Sequence, residues 1–258
     1  MKKTLIALAV AASAAVSGSA MAWTANGTGG SVDLGGTLTP VEKVTPWEVK
    51  VGAAVNDLNA PIQKGQKEVR ISSLKSIEIL GIRTKEKAAF VGANGIAPQI
   101  DYGAAIDATK FSNGETKLTL VVKDDASNEI GKLESSLFAQ AYTSEKSTDG
   151  GGAKKFLVFA AAKGSAYYGG LGQNSGSLSK EDLAAAYMPD AEANWVNQGG
   201  TMVDPEVSYF SNPGKTYNSY YFSVIKPNQA IKIALNEPVS GDAPIQWNAS
   251  LPVTVSYQ

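Results

Sequence analysis

Apolar and polar residues alternate with a period of two through many short stretches of this chain. Residues 117–123 read Lys-Leu-Thr-Leu-Val-Val-Lys and set Leu118, Leu120 and Val122 on one face. Residues 230–236 do the same with Ile231, Ile233 and Leu235, and residues 251–257 with Leu251, Val253, Val255 and Tyr257. Successive strand side chains point to opposite faces, so this pattern predicts strands with one buried face. Residues 69–72 and 76–82 are short and rich in β-branched side chains, which also favours strand. Asn113 and Gly114 form a tight-turn signal ahead of a strand. Trp47 and Trp247 lie in strand-like stretches and read as core, as do the aromatics of residues 217–222. Many short strands at close spacing predict one all-β sandwich domain.

One region departs from this pattern. Ser179 is suited to cap a helix, Asp182 follows three residues later, and Leu178 and Leu183 take the positions that staple such a cap. Residues 183–187 favour helix, and Pro189 is expected to end it. The helix belongs to an insertion at about residues 144–200. Residues 143–155, with Gly150, Gly151 and Gly152, predict a loop, and residues 169–177 predict another.

Two alternating segments have no evident partner. Residues 30–39 place Val32, Leu34, Gly36 and Leu38 on one face and follow a polar, Gly-rich lead. Residues 251–257 form the other. A strand at a sheet edge exposes unpaired N–H and C=O groups, and a strand from a second molecule can cover them. Alternation alone also fits the first and last strands of an ordinary sandwich pairing within one chain.

The N-terminus changes the picture of where such a domain works. Lys2 and Lys3 precede an apolar stretch of small residues, and Ala20, Met21 and Ala22 supply a cleavage pattern. This is the layout of a secretory signal peptide over residues 1–22, and its apolar core is too short for a membrane-spanning helix. Taking Lys2 and Lys3 from the 23 basic residues, with all 24 acidic ones kept, leaves a formal net charge of −3. Nucleic-acid binding, which needs a basic patch, is not expected.

The chain has no Cys and no His. Ser-His-Asp and Cys-His catalysis and thiolate or imidazole metal sites are therefore excluded, and no cofactor or metal is expected. Asp124 and Asp125 lack the spacing of a calcium loop. An exported glycan-acting enzyme would need a pair of carboxylates in a cleft, and nothing in the sequence places two together.

Residues spread over the whole chain resemble one family. They are residues 1–22 with Trp23, residues 30–36 (Gly-Ser-Val-Asp-Leu-Gly-Gly), 47–52 (Trp-Glu-Val-Lys-Val-Gly), 81–86, 95–100, 113–116, 168–171 and 177–180, Gln246 with Trp247, and residues 251–257. Together and in this order they resemble the major subunits of the kappa-class chaperone–usher fimbriae of enterotoxigenic Escherichia coli, the K-eighty-eight type. The resemblance implies an incomplete immunoglobulin-like β-sandwich lacking its last strand, with a small helical insertion, completed by donor-strand exchange. Residues 23–40 would be the donor extension, with Val32, Leu34, Gly36 and Leu38 as its inserting face, and residues 41–258 the pilin domain. Leu251, Val253, Val255 and Tyr257 would line the acceptor groove and meet the chaperone. The implied partners are neighbouring copies, a periplasmic chaperone, an outer-membrane usher and host glycoprotein or glycolipid glycans. The implied destination is a cell-surface fimbrium, reached through the periplasm.

In this family the major subunit is also the adhesin and uses the helical insertion. Sugar recognition needs an aromatic face beside polar groups, and the insertion offers Tyr167, Tyr168, Lys155 and Trp195. Trp195 also fits a core position. Tyr167 and Tyr168 are adjacent, so an extended backbone turns them opposite ways. A purely structural or minor subunit without a receptor site stays open beside the adhesin.

Overall fold

The computed structural model describes residues 25, 26, 32, 34–39 and 44–258. The expected export signal, residues 1–22, lies outside them. Val44–Gln258 form one compact unit. Along the chain it contains β1 (Trp47–Val51), β2 (Glu68–Ser72), β3 (Ile77–Thr84), β4 (Phe90–Val91), β5 (Pro98–Asp101), β6 (Glu115–Lys123), β7 (Glu129–Ser147) and β8 (Ala153–Leu157). The short helices α1 (Ala184–Tyr187) and α2 (Pro189–Glu192) follow, then β9 (Thr201–Met202), β10 (Lys215–Ile225), β11 (Ala230–Leu235), β12 (Asn248–Ala249) and β13 (Thr254–Tyr257).

The fold is an all-β, immunoglobulin-like sandwich. The long strand β7 ties its parts together. Residues 129–138 of β7 pair with β6 and residues 131–134 with β11, which continues to β2. Residues 138–147 pair with β10, which continues to β3 and β1, and residues 142–146 pair with β8. A separate two-stranded sheet joins β13 to β5. The β6 hairpin is entered through Asn113 (φ 50°) and Gly114 (φ 77°), both in the left-handed region that a two-residue turn requires.

β10 is sealed on both faces. Tyr217, Tyr221 and Ile225 point into the main core, with Trp47, Ile82, Leu118 and Phe210. Tyr220, Phe222 and Val224 point into a second core with Phe138, Leu157, Ala184, Met188 and Ala191. The two helices supply part of that second layer. Gly81 of β3 makes room for it, since a Cβ there would lie 2.7 Å from Met188 Cε.

The insertion differs from the expected helix and loops in two ways. Residues 143–155 are not a loop: β7 runs on to Ser147 and β8 begins at Ala153, so only the Gly-rich turn is irregular. The polar side chains there pair across the strands, as Glu145 does with Lys154 and Lys215. The expected cap at Ser179 does not start α1. Ser179 Oγ accepts a hydrogen bond from Glu181 N at 3.3 Å, and Gln140 Nε2 donates to Glu181 O at 2.6 Å, holding that stretch against β7 outside the helix. Pro189 ends α1 as expected and also takes the first position of α2, where its missing N–H costs nothing.

Candidate functional site

Residues 251–258 alternate between half-buried and exposed without a break. Leu251, Val253, Val255 and Tyr257 are the half-buried set, and all four pack against the main core. β13 reaches that position by pairing with β5: Thr254 lies opposite Asp101, Val255 opposite Ile100 and Tyr257 opposite Pro98. Ala97 and Gln258 extend the ladder by exchanging backbone hydrogen bonds at 3.0 and 3.1 Å. Among the described residues no strand pairs with the second edge of β13. The row is therefore an apolar strip on a core, beside an open line of backbone donors and acceptors.

The segment expected as donor is only partly described. Val32, Leu34 and Leu38 are 85 %, 93 % and 98 % exposed and belong to no strand or helix. Gly36 is also exposed, and a Cβ built there meets nothing within 4 Å.

The four residues expected at a sugar site fall in four places. Tyr167 is a core residue, which corrects its reading as a ligand contact. It is fully buried, its hydroxyl bonds Ser219 Oγ at 2.8 Å, and its ring stacks on Tyr221 at 5.3 Å. Burial pushes its phenol well above the usual range. Tyr168 is half-buried and lines a cleft of about 470 Å³ beside β5 and β13. Lys155 is half-buried on β8, opposite Ser144 of β7 and beside Met202 of β9. Trp195 follows α2 and is half-buried over the second core, edge-on to Tyr220 at 5.3 Å. Acidic groups lie near it: Glu192 has its carboxyl raised by burial and then by Asp182, and Tyr142 is pushed up to about 12 by the same two causes.

Comparison with known proteins identifies the fold's owner. A family described as "Fimbrial, major and minor subunit" matches residues 1–258. The chain is 31 % identical over 288 residues to "K88 fimbrial protein AB" and 30 % identical over 291 residues to "K88 fimbrial protein AC", both of Escherichia coli, with all of each chain covered. It is 28 % identical over 282 residues to "F41 fimbrial protein" of the same organism, again over both full lengths. The chain belongs to the K88 fimbrial family.

Family membership makes this chain a structural subunit that assembles with other subunits into a surface fimbrium. Among the described residues no helix is long and apolar enough to cross a membrane. Within this K88-family subunit the cleft at Tyr168 contains residues that sequence reasoning passed over: Gln99, Asp101, Lys163, Ser256 and Gln258. Asp101 with Gly103 carried a faint signal, an Asp two residues before a Gly, which favours an Asx turn. Ser256 and Gln258 carried none, because only the pairing of β13 with β5 brings them to Tyr168, and Lys163, in the turns leading to Tyr168, read as an ordinary loop lysine.

Proposed function

We propose that this fimbrial subunit polymerises by donor-strand exchange and binds host glycoconjugates as an adhesin. Residues 23–40 of one copy fill the groove of the next, with Val32, Leu34, Gly36 and Leu38 laid on the row Leu251, Val253, Val255 and Tyr257. A periplasmic chaperone covers that row first, and an outer-membrane usher exchanges it for the incoming segment. The observation that carries the reading is the half-buried apolar row beside an unpaired edge of β13. Burying Val32, Leu34 and Leu38, each now exposed to solvent, would contribute about 1.5–3 kcal/mol apiece. Main-chain pairing along β13 adds direction and register.

Leu34→Glu tests the donor face. It should abolish fibres seen by electron microscopy while the chaperone complex still purifies intact. Normal fibres from this variant would sink the assignment.

The burial of Tyr167 and the separate packing of Trp195 favour a second reading, a structural subunit with no receptor site. A self-completed monomer, with residues 23–40 moved behind Gln258 on a flexible linker, separates the two on a glycan array. Binding that falls on changing Tyr168 or Lys155 supports the adhesin. A folded monomer that binds nothing supports the structural subunit.

A further inference from the structure

We infer that the cleft formed by β5, the outer face of β13 and the Tyr168 turn binds a neutral hexose or N-acetylhexosamine at the end of a glycan. The inference rests on the adhesin part of the reading above and gives it a site and a ligand class.

The cleft is built from backbone that cannot easily shift. β5 lies between β13 and the turn at Tyr168, whose carbonyl accepts Ile100 N at 2.8 Å. Gly169 (φ +87°) follows, and a Cβ there would stand 2.0 Å from Ile100 O. Only glycine permits that approach, and it fixes Tyr168 at the cleft wall. At the end of β5, Asp101 Oδ1 accepts Gly103 N at 2.6 Å, with Gly103 at φ +59°. The Gln99 side chain is fully committed to the frame: it donates to Ser165 O at 2.9 Å and accepts from Gly164 N at 2.9 Å.

What remains is a set of polar groups without a hydrogen-bond or ion-pair partner among the described residues, beside the half-buried Tyr168 ring, which also packs against the main core. They are the Tyr168 hydroxyl, the second oxygen of Asp101, the Lys163 ammonium, the Ser256 hydroxyl and the Gln258 amide, all of residues that line the cleft. A sugar has an apolar C–H face, which packs on an aromatic ring. Its hydroxyls both donate and accept, and here a carboxylate accepts while an ammonium donates. Opposite charges in one small cleft suit a neutral ligand with many hydroxyls. A sugar carboxylate would face Asp101. The volume, about 470 Å³, lies within the span of ligand clefts, roughly 300–1,000 Å³.

The test uses assembled fibres of the full-length protein on an array of neutral oligosaccharides ending in a hexose or N-acetylhexosamine, with sialylated counterparts. Asp101→Asn combined with Lys163→Ala changes only exposed side chains, so fibre yield should not move. Binding should drop about tenfold, one broken charged contact being enough for that factor. Tyr168→Ala should abolish binding, and Tyr168→Phe should keep it within about threefold, since the ring face is retained. Unchanged binding by the double variant, or loss with Lys155→Ala or Trp195→Ala instead, overturns the cleft and leaves the adhesin reading intact. Binding confined to sialylated glycans overturns the ligand class. Fibres that form normally and bind no glycan overturn the adhesin reading itself, and the cleft with it.

Discussion

β10 and β13 are written in the same alternating script and end in opposite conditions. β10 has β3 on one side and β7 on the other, and a core on each face. β13 has β5 on one side only, and its apolar row is half-buried. Pairing and burial are complete together in β10 and incomplete together in β13. Alternation states which side chains face the core. It does not state whether the cover over them comes from the same chain.

Removing a large side chain from the completed strand should have the largest effect. Phe222→Ala should cost about 3–5 kcal/mol of stability by urea unfolding, because neighbours on both sides leave the site little room to collapse. A loss below about 1 kcal/mol would break the comparison.

The next effect is alkaline. Tyr102 donates to or accepts from Tyr221 at 2.9 Å and Ser223 at 2.7 Å, both on β10, and burial holds its phenol up at about 12. In the unfolded chain it titrates near 10. Its folded value is the higher one, so the stability it carries is fully present below about pH 10 and is lost as pH rises toward about 12. Unfolding monitored through that window should show a fall on the order of 2 kcal/mol, reduced in Tyr102→Phe.

The smallest effect sharpens the contrast most. Val255→Ala should cost roughly 1 kcal/mol or less in a subunit whose groove is empty, since the side chain is already half in solvent. In the self-completed monomer the same change should cost more, approaching the usual loss of a buried methyl pair. Equal losses in the two states would show that nothing lies over Val255.

Much of the sandwich was legible. The expected strands at residues 69–72, 76–82, 117–123, 230–236 and 251–257 correspond to β2, β3, β6, β11 and β13 within a few residues. Each keeps one apolar face, so period two survives in the sequence. The Asn113–Gly114 turn was legible because both residues tolerate positive φ. The hairpin of β7 and β8 was not, because its stretch is stabilised by cross-strand charges such as Glu145 with Lys154, which read locally as loop. The helix expected at residues 183–187 is found at 184–187 but its cap was not legible, since Gln140 on a distant strand donates to Glu181 O and accepts from Leu183 N, holding the residues after Ser179 outside the helix. The sugar-site residues scattered for a related reason. Proximity along the insertion placed Tyr167, Tyr168, Lys155 and Trp195 in one neighbourhood, while packing sends Tyr167 into the main core and Trp195 over the second.

The pairing of β13 with β5 also sets a clock. Tyr257 sits beside Pro98, across most of the length of the domain, and closing so long a loop delays a contact relative to local hairpins. A chain delivered N-terminus first therefore exposes β5 with one edge vacant until almost every other strand has emerged. During that interval the molecule carries an unfinished seam that any passing extended segment can enter, so the hazard grows with the rate of delivery and shrinks with the speed at which the final residues find their place.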